Sequence, residues 1–196
     1  VRCCSASSSV RSHSREVAQR IEFIQGGATM KVLVTYMSQT GNTKKVAEAI
    51  FQEIRGKKEI KPMEEVSSLA GYDLAFVGSP LQASGMAGDA KNFLDQHAKG
   101  KNVALFITHA SPKEEPQLKG WLDNCVAAAA GAKLLGVFDC QGEMSQALSD
   151  FMVNSGDPTL AEWGKKRSET LGKPDAASLK KARTFAREIM KKHSRG

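Results

Sequence analysis

Short apolar runs alternate with helical patterns along most of the chain. Five short β-rich runs predict strands at residues 31–36, 59–62, 74–78, 103–108 and 134–139. Apolar positions three and four residues apart predict helices at residues 43–55, 88–98, 115–130 and 176–192. Most of the strand candidates are apolar without interruption, as in sheets that are covered on both faces. The pattern therefore predicts an α/β fold with a doubly wound, five-stranded parallel sheet.

The regular alternation is interrupted between Cys140 and Lys173. The stretch "GEMSQALSD" predicts a short helix, whereas "SGDPTLAEWGKKRSETLGKPD" is broken by glycine and proline. A connection of this length is often functional or partner-facing. A packed surface loop held in place by Trp163 is the simpler alternative.

The first 29 residues, "VRCCSASSSVRSHSREVAQRIEFIQGGAT", are rich in serine and arginine and show no persistent period. They predict a disordered extension, with an organelle transit peptide as the alternative. Met30 is followed at once by a strand and reads as a natural start. We therefore expect one folded domain over residues 30–196.

The composition is that of a globular protein and argues against membrane-spanning, metal-binding and dithiol redox proteins. A chain of 196 residues with 41% hydrophobic and 25% charged residues has an ordinary globular composition. No apolar run approaches the roughly 18 residues that a membrane-spanning helix needs. The four cysteines show neither CxxC spacing nor a nearby histidine pair, so we expect no metal site and no redox dithiol. We expect a reducing compartment, the cytoplasm.

The net charge of +7 is concentrated at one end of the chain. Residues 30–164 hold 13 Lys and Arg against 16 Asp and Glu, whereas residues 165–196 hold 11 against 3. The last predicted helix has an apolar face, formed by Leu179, Ala182, Phe185, Ala186, Ile189 and Met190, and a basic one, formed by Lys180, Arg183, Arg187 and Lys191. Because no aromatic residues are interleaved with these charges, a nucleic-acid role is disfavoured. The basic face is a solvated surface or a docking patch for an acidic redox partner.

A polar loop, "MSQTGNT" at residues 37–43, joins the first strand to the first helix. Hydroxyl groups, amides and a glycine at such a corner can form a nest in which N–H and O–H groups converge on an anion. The positive end of the helix dipole adds to this attraction, so no lysine or arginine is required. The loop predicts a phosphate site, although it matches neither GxGxxG nor GxxxxGK[ST]. An ordinary turn with an N-cap at Asn42 or Thr43 is the alternative.

Here the sequence resembles the flavodoxin family, whose first corner carries Thr/Ser-x-Thr-Gly-x-Thr after a strand that ends in an aromatic residue. The matching positions are Ser38, Thr40, Gly41 and Thr43, and Tyr36, Ala47 and Ile50 fit the longer signature. Thr35 departs from it by occupying a position that is usually apolar. The resemblance implies FMN as the cofactor and a sheet of strand order 2-1-3-4-5.

The resemblance also implies where FMN binds. In this strand order the ligand lies outside the carboxyl ends of the first and third strands, a rule for which flavodoxin itself is a standard example. The phosphate is expected at Ser38, Gln39, Thr40, Gly41, Asn42 and Thr43, and the flavin at Pro80, Leu81, Gln82, Ala83, Ser84, Gly85 and Met86, and at Thr108, His109 and Ala110. A carbonyl at Ser84, Gly85 or Met86 is expected to accept a hydrogen bond from N5–H of reduced flavin.

Neither flavin loop contains the tryptophan or tyrosine that stacks on the ring in many flavodoxins. Leu81, Met86 and His109 are the side chains expected to flank the ring instead. For His109 two possibilities stay open: contact with the flavin or its phosphate, or a solvated surface position. A very low flavin potential is not expected without stacked aromatic rings.

The resulting hypothesis is a flavodoxin-like electron carrier that binds FMN non-covalently and exchanges electrons with a reductase and an acceptor protein. The flavin supplies the chemistry, and no side chain is expected to act as acid, base or nucleophile. An FMN-dependent NAD(P)H oxidoreductase of the quinone-reductase type is one alternative. A docking module that has lost its flavin is the other.

Overall fold

The computed structural model describes residues 30–112 and 114–193. Its sheet contains six strands: β1 (Lys31–Tyr36), β2 (Lys57–Pro62), β3 (Leu74–Gln82), β4 (Gly85–Met86), β5 (Asn102–His109) and β6 (Lys133–Gln141). Five strands are parallel in the order β2-β1-β3-β5-β6, and the short β4 pairs antiparallel with β3. Numbered along the chain, the five parallel strands follow the order 2-1-3-4-5, so the predicted fold class is confirmed.

Helices cover both faces of the sheet. They are α1 (Asn42–Glu53), α2 (Gly88–His97), α3 (Leu118–Ala127), α4 (Gln146–Val153), α5 (Pro158–Lys165) and α6 (Ala176–His193), with 3-10 turns at Met63–Glu65 and Lys166–Thr170. Helix α1 packs against α6. Residues of α2 join the buried cluster that contains Leu33, Val77 and Leu105. None of the helices within the described ranges is both long and apolar enough to cross a membrane.

Alternation along the strands explains the two-sided core. Leu33 packs into the cluster with α2, while its neighbours Val32 and Val34 point to the opposite face, and all three side chains are fully buried. On that opposite face, the ring of Phe185 from α6 meets Phe76 edge-on and stacks on Phe138. A parallel sheet buried in this way requires the continuous apolar strands seen in the sequence.

The structure corrects two of the predicted secondary-structure assignments. Strand β3 was expected to end at residue 78 but continues to Gln82, because its last residues pair with β4. The segment after residue 154 was expected to be broken by glycine and proline, yet it contains helix α5. Asp157 caps this helix by accepting hydrogen bonds from the N–H groups of Thr159 and Leu160, and Pro158 occupies its first turn. The predicted disorder of residues 1–29 lies outside the described residues.

Candidate functional site

A cavity of about 690 Å³ opens at the carboxyl ends of the parallel strands. Its lining comes from the corners that follow β1, β3, β5 and β6, and from residues 142–173, which we call the insert. The volume lies within the range of about 300–1,000 Å³ that is typical of small-molecule pockets. The cavity is therefore large enough for a cofactor and occupies the place where doubly wound sheets bind ligands.

The first corner forms a tight turn into α1. Gly41 is the N-cap, with a left-handed φ of 86° that side chains rarely adopt, so neither Asn42 nor Thr43 holds that position as the alternative expected. Lys44 N–H donates to Ser38 Oγ at 3.3 Å. The N–H groups of Asn42 and Thr43 have no acceptor among the described residues. These two donors, together with the helix dipole, are suited to an anion.

Asn42 ties this corner to the insert. Its Nδ2 donates to Thr40 Oγ1 at 3.1 Å and to the carbonyl oxygen of Glu143 at 2.8 Å. The side chain is thus occupied by protein groups and positions the loop. Thr43 is also fixed, because its hydroxyl lies 2.8 Å from that of Thr108 at the end of β5.

The third corner is a hairpin rather than an open loop. Leu81 pairs with Met86 and Gln82 with Gly85, leaving Ala83 and Ser84 as the turn. Ala83 takes a positive φ of 50°. Asn124 Nδ2 donates to the carbonyl oxygen of Ser84 at 2.8 Å, so this carbonyl, one of the three expected to face flavin N5, already has a protein donor.

His109 is buried, so the solvated alternative is wrong. Its Nδ1 lies 2.9 Å from the carbonyl oxygen of Ser111, and its Nε2 lies 3.3 Å from Asp139 Oδ2. Both ring nitrogens therefore face protein oxygens, and a neutral ring, which carries a single N–H, donates to one of these oxygens at a time.

The insert lines one side of the cavity, and its two ends are hydrogen-bonded to each other. Glu143 N–H donates to the carbonyl oxygen of Lys173 at 3.1 Å, and Glu143 Oε2 accepts from Gly172 N–H at 3.0 Å. Within the insert, Gly164 of α5 lies so close to α4 that an added Cβ would stand 2.7 Å from the carbonyl oxygen of Ser149. The two helices are thus packed backbone to backbone.

Two tryptophans line the cavity, a feature that the loop sequences did not reveal. Trp121 comes from α3 and Trp163 from α5, and their ring centroids are 5.8 Å apart at an interplanar angle of 77°. The family resemblance concerns only the corner loops, so it did not point to these two residues. The capping sequence Asp157-Pro158 was the available signal that Trp163 belongs to a helix.

The structure brings together most of the residues expected to bind FMN. Those that line the cavity are Gln39, Thr40, Asn42, Thr43, Pro80, Leu81, Gln82, Ala83, Thr108, His109 and Ala110. Those that do not are Ser38, Gly41, Ser84, Gly85 and Met86. Met86 packs against the core cluster instead of standing free beside a ring.

The titratable groups give little sign of acid–base chemistry. Burial raises the pKa of the Cys125 thiol to about 11, which keeps it protonated at neutral pH. Within residues 30–112 and 114–193, no group of three or more His, Cys, Asp or Glu side chains is placed to hold a metal ion. The cavity offers hydrogen-bond donors at one corner, and elsewhere its lining mixes polar side chains such as Glu169 with aromatic ones such as Trp163.

Comparison with known proteins agrees with this geometry. Residues 33–187 match the family model described as a flavodoxin domain. A flavodoxin-like domain-containing protein, BilS of Clostridioides difficile, is 27% identical over 175 residues, covering 84% of this chain and 99% of BilS. An archaeal flavodoxin structure is similar in fold, with 19% identity, a TM-score of 0.54 and coverage of 84% and 99% of the two chains. So is the WrbA-like flavodoxin of Agrobacterium tumefaciens, with 16% identity, a TM-score of 0.55 and coverage of 85% and 99%. The chain belongs to the flavodoxin-domain family.

Proposed function

We propose that this chain is a flavoprotein that binds one FMN non-covalently in the cavity and carries electrons from a reductase to an acceptor protein. The observation that carries this proposal is the convergence of the three corner loops on one cavity at the carboxyl ends of β1, β3 and β5. Family membership supports the same cofactor. FMN would supply the one- and two-electron chemistry.

The residues present fit an FMN. The free N–H groups of Asn42 and Thr43 and the paired hydroxyls of Thr43 and Thr108 offer donors for the phosphate without a cationic side chain. Only one hydrogen is used between the two hydroxyls, so the second can be donated to a ligand. The hairpin residues Leu81 and Gln82 would contact the flavin and exclude water from one side of it.

A second candidate is an FMN-dependent NAD(P)H oxidoreductase that acts on small acceptors. The covered, tryptophan-lined part of the cavity favours it, since an electron carrier needs only to expose the flavin edge to its partner. A docking module without flavin is disfavoured, because the corner loops converge on a cavity that is large enough for a cofactor.

The proposal also includes location and partners. We place the protein in the cytoplasm, since Cys125 is a free buried thiol of the kind common in reducing compartments. The basic face of α6 is a weaker candidate for partner docking than the sequence indicated. Arg187 of that face is paired with Glu53 of α1, with 2.9 Å between Nε and Oε1.

A visible spectrum tests this function. The full chain is mixed with FMN, freed of excess flavin, and then treated anaerobically with NADPH followed by dithionite. Retained yellow colour that only dithionite bleaches supports the electron carrier. Rapid bleaching by NADPH supports the oxidoreductase, and a colourless protein overturns both.

A further inference from the structure

Helices α1 and α6 pack against each other on one face of the sheet, and their outer side is rich in cations. Within residues 42–58 and 176–193, the exposed acidic side chains are Glu48 and Glu188. Exposed basic side chains are far more numerous in these two ranges, and we call them together the cationic surface. Its nine residues are Lys44, Lys45, Arg55, Lys57, Lys180, Lys181, Arg187, Lys191 and Lys192.

The positive charges of the two helices act together. Glu53 of α1 accepts a hydrogen bond from Arg187 of α6, with 2.9 Å between Oε1 and Nε. This bond lowers the pKa of the Glu53 carboxyl, and the charges of Arg187, Arg55 and Arg183 lower it further. A carboxyl group that responds to arginines from both sides of the helix pair lies in a positive potential that both helices share.

The opposite face of the sheet shows no such excess of positive charge. There, α2 and α3 carry Lys91 and Lys119 against Asp89, Asp95 and Asp123. The ammonium groups of Lys91 and Lys119 each lie 2.7 Å from a carboxylate oxygen four residues further along the helix. None of the nine cations lines the cavity. The cationic surface is therefore a feature of one face and is separate from the cofactor site.

The cationic surface lacks the apolar anchors that a protein partner needs. None of the exposed large hydrophobic side chains in the described part of the chain belongs to α1 or α6; they are Val137, Leu148, Phe151, Val153 and Leu171. Protein interfaces are centred on desolvated aromatic and apolar residues and are depleted in lysine. Seven of the nine cations are lysines. An acidic protein is therefore a poor fit to this surface.

An anionic lipid bilayer requires neither apolar anchors nor aromatic stacking, because lysines attract its head groups from the water layer. The shape of the surface also fits a plane. Helix α6 has 18 residues and is about 27 Å long. Lys180 and Lys191 are exposed about three turns apart on the side of this helix opposite to the buried Ala182, Ala186 and Ile189. Cations along the whole helix can thus face one flat surface.

We propose that the cationic surface docks on an anionic lipid bilayer, with α1 and α6 lying on the head groups and outside the hydrocarbon core. The binding is electrostatic and reversible, since lysine side chains contribute charge without insertion. The inference goes beyond the proposed function and does not rest on it, because none of the nine residues lines the cavity.

Co-sedimentation of the full chain with lipid vesicles tests the proposal. One set of vesicles is pure phosphatidylcholine, and the other also contains about 30% phosphatidylserine. We expect the chain to bind the anionic vesicles at least about tenfold more tightly at physiological ionic strength. We expect this preference to disappear in about 0.5 M NaCl, because salt screens exposed charges. Equal binding to both sets, or binding that salt does not weaken, overturns the proposal.

Paired substitutions locate the docking surface. The first pair is Lys180→Gln with Lys191→Gln in α6, and the second is Arg55→Gln with Lys57→Gln after α1. Each pair is expected to weaken binding to the anionic vesicles at least about fivefold, since two charges are lost. Glutamine suits α6 because its helix propensity is close to that of lysine. A folded pair that keeps the wild-type affinity overturns the assignment to this surface.

The matched control removes two charges from the other face of the sheet. Lys99 follows α2 and Lys119 lies in α3, and both are exposed. Lys99→Gln with Lys119→Gln is expected to change vesicle binding by less than about twofold. A loss as large as that of the first two pairs would show that net charge alone determines binding, and this result rejects the docking surface.

Two further arms keep the outcomes separate. Circular dichroism checks the fold of each variant, and a pair that does not fold is replaced by Lys181→Gln with Lys192→Gln, which carries the same expectation. Poly-L-glutamate and duplex DNA are compared with the anionic vesicles at equal concentration of negative charge. We expect the vesicles to bind most tightly. Tighter binding of poly-L-glutamate assigns the surface to an acidic protein, tighter binding of DNA assigns it to nucleic acid, and either result overturns the proposal.

Discussion

Thr43 and Thr108 join the first turn of α1 to the end of β5 through hydroxyl oxygens 2.8 Å apart, although 65 residues separate them in the chain. Thr43 is 1% and Thr108 is 3% exposed. The pair fixes the corner after β1 against the end of β5. It also keeps one hydroxyl hydrogen free for a ligand, because a single hydrogen suffices for their mutual bond.

Thr43→Val and Thr108→Val each leave the other hydroxyl buried without a partner. We expect each single substitution to lower the free energy of unfolding by about 1–3 kcal/mol. The double variant is expected to lose less than the sum of the single losses, because no hydroxyl is then left unpaired. Urea unfolding of the flavin-free wild type, the two single variants and the double variant measures these free energies. Strictly additive losses of free energy would show that the hydrogen bond contributes nothing.

The corner after β1, residues 38–43, is expected to bind the phosphate of FMN, so that affinity does not come from the flavin ring alone. We expect FMN to bind the wild-type chain at least about 100-fold more tightly than riboflavin, since charge-assisted hydrogen bonds to a phosphate are strong. Thr40→Val is expected to reduce this ratio by weakening FMN binding while leaving riboflavin binding nearly unchanged. Quenching of flavin fluorescence measures both ligands. Equal affinities would remove the phosphate assignment.

Close packing between α4 and α5 can be tested at Gly164. A Cβ at this position would stand 2.7 Å from the carbonyl oxygen of Ser149 and 2.8 Å from Val153 Cγ2, so Gly164→Ala is expected to cost about 1–3 kcal/mol of stability. Gly120→Ala is the control, because Gly120 lies in α3 with nothing within 4 Å of its added Cβ. Since alanine favours helix, this control is expected to stabilise by up to about 1 kcal/mol. Thermal unfolding compares the two, and shifts of the same sign would contradict the packing argument.

The hydroxyl of Thr35 is buried in the sheet, and it has no hydrogen-bond partner among the residues that the structure describes. Thr35→Val removes this polar group at nearly constant volume and is expected to raise the free energy of unfolding by about 1–2 kcal/mol. Thr35→Ser, which keeps the hydroxyl and loses a methyl group, is expected to destabilise. Denaturant unfolding of both variants measures these changes in the free energy of unfolding. A valine variant less stable than the wild type would indicate that the hydroxyl has a partner.

Glu59 makes the free energy of unfolding depend on pH in the acid range. Hydrogen bonds from Lys31, Lys61 and Tyr72 lower its pKa from 4.5 to about 2. A depressed pKa in the folded state means that the unfolded state binds more protons between these values. The stabilisation is therefore complete above pH 4.5 and is lost as the pH falls toward 2.

Comparison with Glu59→Gln isolates this contribution. The stability difference between wild type and variant is expected to be constant near neutral pH and to shrink below pH 4.5, as measured by thermal unfolding in a pH series. Glu64→Gln serves as control, because Glu64 is exposed and forms no ion pair within the described ranges. A difference between wild type and Glu59→Gln that does not change with pH would contradict the assignment.

The parts of the fold and site that could be predicted are those encoded locally. Most of the parallel strands contain continuous apolar runs, and the first corner is marked by Gly41 among hydroxyl and amide residues directly after β1. The corners of β3 and β5 follow from the same reasoning. In a doubly wound sheet, local signals of this kind also place the site, because the carboxyl ends of neighbouring strands meet at one edge.

The missed features depend on residues that are distant in sequence. Trp121 and Trp163 stand singly among polar residues, and only the packing of α3 and α5 brings their rings together. His109 contacts Asp139, which lies 30 residues away on β6. The continuation of β3 depends on pairing with Gly85 and Met86, residues that read as a flexible loop because glycine and alanine surround them.

The base of the insert has a further consequence. Because the backbones of Glu143 and Lys173 meet in a single hydrogen bond of 3.1 Å, the chain leaves β6 and returns toward α6 at nearly the same point. We therefore expect the segment between them to tolerate changes of length and composition while the path of the sheet stays the same. Exchanging this segment would then be a direct way to change which small molecules the cavity accepts.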